Sequence, residues 1–128
     1  MSDLNPKGVS AMIDGGEHRL LFSINAIDEI QDRLNMPFLD AIEHVAHVAD
    51  RSTAKEDLQV LKTIVSVLIS TPEKQITDSQ IGDMIEFREM TGIAWKLLEA
   101  YGLHMPEPSE DEEDDEDDDE DPRKAAGT

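Results

Sequence analysis

The sequence predicts a mainly α-helical fold, a small domain of about five helices with an N-terminal β-hairpin and a disordered acidic C-terminal tail. Three observations carry this. Between residues 27 and 101 aliphatic side chains recur at intervals of three and four, the period of helices that bury one face. Over residues 9–22 two short apolar runs instead flank Asp14, Gly15, Gly16 and Glu17, a composition that permits the positive φ of a tight hairpin. Residues 110–121 are twelve consecutive acids, with nothing apolar to offset an ordering cost of about 1–2 kcal/mol per residue.

Taken in order, the hairpin arms are short, and an isolated hairpin is marginal in water, so it has to pack on a helix or on another chain. The first helix carries Ile27, Ile30 and Leu34 on one face and Asp28, Glu29, Asp32 and Arg33 on the other. Ser23 or Asn25 can cap its start; Asn35 can take the left-handed conformation at its end, and Pro37 blocks continuation. A second helix over about 37–50 has the stripe Phe38, Leu39, Ile42, Val45, Ala46 and Ala49. Ser52 and Thr53 open a third, over 54–70, striped by Leu58, Leu61, Ile64, Val65, Leu68 and Ile69 and widened by Val60 and Val67; Pro72 ends it. Thr77 with Gln80 three positions on forms a capping box for a short helix through Ile85, weakened by Gly82. The last helix covers about 87–100, with Gly102 as its stop. Pro106 and Pro108 place the domain boundary near Met105, giving a helical domain over 1–105 and a tail over 106–128.

Charge excludes several functions. The chain has 30 acidic and 11 basic residues, a net −19. Thirteen acids against two bases put −11 of this in residues 106–128 and leave −8 for the rest. That field repels nucleic acid and anionic membrane, so neither is expected as a direct partner. With no cysteine, thiol chemistry and cysteine-ligated metals are absent. No apolar run approaches the ~18 residues of a membrane span, and the N-terminus lacks the pattern of a secretory signal; a cytoplasmic protein is expected.

Catalytic motifs are missing. Ser10, Ser23, Thr63 and Ser66 sit in no nucleophile-elbow pattern, and Gly15-Gly16 lacks the Lys and Ser/Thr of a phosphate loop. His44 and His47, three apart on the second helix with Asp40 and Glu43 near, could share a metal, but such a site needs a third ligand and an outer shell. The sequence names no third ligand beyond a chance approach of His18 or His104. Surface or half-buried histidines are therefore expected, and neither enzyme activity nor a cofactor.

Binding is the expected class of function. Candidate partner-binding residues are Phe38, Met84, Phe87, Met90, Trp95, Leu98 and Tyr101, large side chains concentrated toward the last helix. Methionines adapt to varied apolar partners. Trp95 falls beside the Met90–Ile93–Leu97 stripe rather than within it, which suits an exposed aromatic anchor.

One stretch is more specific. In LLFSINAIDEIQDRLN, Phe22, Asn25, Ala26, Ile27 and Glu29 or Ile30 hold the places of a Phe-x-x-Asn-Ala motif leading into an amphipathic helix. After the apolar third helix, TPEKQITDSQIGDMIE matches a Pro-containing acidic loop followed by a Thr-initiated segment. Over residues 9–100 the chain resembles the tail assembly chaperones of long-tailed bacteriophages and their relatives in gene transfer agents. It departs in having Ile27 where Leu is usual and in its acidic tail. The resemblance implies a protein that binds and solubilises the tape measure protein, helps recruit tail tube subunits, acts in the cytoplasm of the infected bacterial host and leaves before the virion matures. Self-association through the hairpin edge is compatible with it. The alternatives are an acidic interaction protein that mimics nucleic acid through residues 110–121, or a structural subunit of a tail or capsid.

Overall fold

A computed structural model describes residues 9–104. The chain runs β1 (Val9–Ile13), β2 (Gly16–Leu20), α1 (Ile24–Leu34), α2 (Phe38–Ala49), α3 (Lys55–Ile69), α4 (Asp78–Met84) and α5 (Phe87–His104). The mainly helical architecture, five helices behind a hairpin, is the one the periodicity predicts. The acidic run and the boundary near Met105 lie outside the described residues.

Asp14 and Gly15 turn the hairpin with φ of 54° and 81°, the pair of positive values a two-residue type I′ connection requires. The register pairs Val9 with Leu20 and Ile13 with Gly16. Ala11, Ile13 and Leu20 then face inward and are buried, while Met12 is exposed. Packing supplies the stability the hairpin lacks alone: β1 lies on α5 and β2 on α3.

Helix ends follow local chemistry. Ser23, not Asn25, caps α1 by accepting from the Ala26 N–H at 3.1 Å, and Asn35 closes it at φ 55°. Pro37 precedes α2 without a side-chain cap, and Gln31 of α1 accepts the Phe38 N–H at 2.8 Å instead. Both halves of the Thr77–Gln80 capping box are formed. Two expectations need correction. The third helix starts at Lys55 behind Ala54, without a side-chain cap; Ser52 accepts the Ala54 N–H instead. Gly102 does not stop α5, which runs to His104. A glycine ends a helix by turning left-handed, and Gly102 does not adopt a positive φ; one residue earlier, Tyr101 still packs its ring on Phe38, centroids 5.9 Å apart.

The central element is α3, packed against α1, α2, α4 and β2. Because neighbours surround it, its buried set is broader than the aliphatic stripe and includes Asp57, Thr63 and Ser66, whereas Leu58, Val67 and Leu68 sit half-buried at its edges. The buried hydroxyls have partners, as burial demands. Ser66 donates to the Ile76 carbonyl, and Thr63 donates to Asp78. Asp78 also accepts from Gln59 at 2.9 Å and from Arg33 of α1 at 2.6 Å, joining three helices. The core runs from Ala11, Ile13 and Leu20 through Phe22, Ile30, Val45 and Ile64 to Leu97 and Ala100. Phe22 meets Phe38 edge to face at 5.2 Å, so the residue that closes the hairpin also locks α2. Among the described residues, no helix is long and apolar enough to cross a membrane.

Candidate functional site

On α5 the apolar arc is wider than the face the core consumes. Ile93, Ala94, Leu97 and Ala100 are fully or nearly fully buried. Phe87, Thr91, Trp95, Leu98 and Gly102 follow at intervals of four, four, three and four, so they line one flank of the same helix. Phe87 is 77% exposed and Trp95 60% exposed, while Thr91 and Leu98 are half-buried. Aromatic side chains carry much of the contact energy where proteins meet, so this flank is the candidate surface.

A helix packed against α5 is α2, and Phe38 at its start meets Tyr101, three residues along α5 from Leu98. On α2, Leu39 is 63% exposed. The flank is thus an apolar strip along α5.

The seven expected partner-binding residues do not form one surface. Phe87, Trp95 and Leu98 are brought together on the α5 flank. Tyr101 is half-buried at its end against Phe38. Phe38 and Met90, 7% and 8% exposed, belong to the core and can only support a surface from beneath. Met84 is half-buried elsewhere, lining a depression with Asp14, Lys74, Gln75 and Ile76. Sequence reasoning missed Met12, Leu21, Ile24 and Leu39, all large and exposed. For Leu39 periodicity misled: it sits at the margin of the α2 stripe, where residue spacing does not say which neighbour stops short.

A second constellation lies between the end of α2 and the start of α3. The Nδ1 atoms of His44 and His47 approach the same Asp57 oxygen, Oδ1, at 2.6 and 3.2 Å. The Ser52 hydroxyl donates to the other oxygen, Oδ2, at 2.6 Å. Asp57 is 6% exposed. Burial pushes its carboxyl up, but the Ser52 hydroxyl and the two imidazoles outweigh that and hold its pKa at about 2, so it is an anion at neutral pH. Asp57 is thus the acidic residue that joins the two histidines. The arrangement is not a hydrolase relay, because the Ser52 hydroxyl points to the carboxylate and not to an imidazole. The sequence shows the His-x-x-His spacing on the second helix, but nothing in it marks Asp57 as the partner. Comparison with protein-family models, with curated proteins and with solved structures gives no match.

Proposed function

We propose that this protein is a tail assembly chaperone of a long-tailed bacteriophage: it holds the tape measure protein in solution, helps bring tail tube subunits to it, and acts in the cytoplasm of the infected bacterium. It works by binding, not by catalysis. The observation that carries the reading is the exposed flank of α5, Phe87 to Trp95, on a chain of net −19. A long helical protein not yet enclosed by its tube exposes apolar stripes, and a helix flank beside a second helix is the shape that receives such a stripe. Each large apolar side chain buried contributes about 1.5–3 kcal/mol, so one copy grips weakly. Many copies along one filament hold it collectively and can be displaced one by one. The like charge they carry keeps coated filaments apart.

The test is co-expression of the full chain with a tape measure protein, scored by soluble yield. The chaperone reading expects a clear gain in yield that Trp95→Ala or Leu98→Asp reduces and that deletion of residues 106–128 leaves largely in place. The acidic run favours a second reading, mimicry of nucleic acid. That reading prevails if the deletion abolishes binding to every candidate partner while the helical body proves dispensable.

A further inference from the structure

We propose that His44, His47 and Asp57 form a binding site for a divalent transition-metal ion, zinc by preference, clamping α2 to α3. Each of the three residues offers one ligand atom, and these atoms lie within 4.8 Å of one another. Among the described residues no other three His or acidic side chains bring their ligand atoms so close. Tetrahedral ligands about 2.0–2.1 Å from zinc are about 3.3 Å from each other. The His47–Asp57 separation of 3.2 Å already matches that edge, and the His44–Asp57 separation of 2.6 Å has to open by about 0.7 Å to reach it.

The frame is suited to holding such an ion. Both histidines stand on α2 one turn apart, and Asp57 stands on the first turn of α3, so regular backbone sets the spacing. Ser52 holds the free carboxylate oxygen, the outer-shell contact that fixes a ligand's orientation. Two imidazole nitrogens and one carboxylate oxygen suit zinc and its borderline neighbours; calcium and magnesium prefer sets made of oxygen alone. The ion would replace the protons shared between Nδ1 and Oδ1, moving each ring proton to Nε2. The His47 side chain is 56% exposed, which leaves solvent access for water as the fourth ligand.

The experiment uses the full chain without an affinity tag, stripped with chelator and kept in excess Mg²⁺ to occupy weak oxygen sites in residues 110–121. Co²⁺ is added and followed by visible absorption; Zn²⁺ is added and followed by the thermal unfolding midpoint. The site predicts one Co²⁺ per chain with the intense band of a four-coordinate, nitrogen-containing set, displaced by Zn²⁺, and a midpoint that rises with Zn²⁺. His47→Gln and His44→Gln should each weaken Co²⁺ binding at least tenfold, with a cooperative metal-free unfolding transition showing that each variant is folded. Equal binding by parent and His47→Gln, or absence of the band in the parent, would overturn the site.

Discussion

Asp57 shows how much one side chain can organise. Its buried carboxylate collects Ser52, His44 and His47 from the connection and the helix before it. A hydrogen bond to a charged group contributes about 1.5–3 kcal/mol, so Asp57→Asn, which keeps the shape and removes the charge, should cost about 2 kcal/mol at pH 7. The pH dependence has a definite sign. The folded carboxyl titrates at about 2 against an ordinary 3.8, a depressed value, so its contribution is complete above about pH 4 and is lost as the pH falls toward 2. Urea midpoints of parent and Asp57→Asn, measured in chelator from pH 7 downward, should stay apart to about pH 4 and then converge. A gap that stays constant to pH 2 would show that the carboxylate charge is not what stabilises the fold.

At the scale of elements, the α2–α3 connection explains what the sequence conceals. After α2, the Arg51 N–H bonds to the Val48 carbonyl at 2.8 Å and the Ser52 N–H to the His47 carbonyl at 2.9 Å, the paired bonds of a Schellman ending. Arg51 occupies the left-handed position at φ 74°, which glycine takes without a side-chain penalty. This turn brings α3 back so that Asp57 meets residues 10 and 13 positions earlier. Arginine carries no signal for such a turn, so the histidines are legible in the sequence and their partner is not. The hairpin turn and the Thr77 capping box are legible because Asp-Gly and Thr-x-x-Gln state their geometry locally. The extent of α5 is not, because Gly102 permits a stop that the packing of Tyr101 does not use. Relief of the left-handed strain makes Arg51→Gly a stabilising change of about 1 kcal/mol, to be read as a raised urea midpoint with an unchanged slope. An unchanged or lowered midpoint would mean that the Arg51 side chain offsets its backbone strain.

For the molecule as a whole, the question is how a single helix both closes the core and faces outward. Leu97 and Trp95 are two residues apart on α5, yet one is fully buried and the other 60% exposed. Their substitutions should separate stability from binding. Leu97→Ala opens a cavity and should cost about 2–5 kcal/mol. Trp95→Ser removes surface that touches little and should change stability by no more than about 0.5 kcal/mol. Trp95 is also the only tryptophan in the chain, so its emission reports the α5 flank alone. In the free protein it should emit as a solvated indole and be readily quenched by acrylamide, an uncharged quencher that the net −19 does not repel. Addition of an amphipathic helical peptide with a continuous leucine stripe should shift the emission to shorter wavelength and protect it from quenching, and Phe87→Ser should weaken that response because the two rings share one flank. A peptide of equal charge and helicity with its leucines scattered should produce no shift. If both peptides act alike, or neither does, the flank does not recognise apolar helices, and the proposed chaperone role loses the observation that carries it.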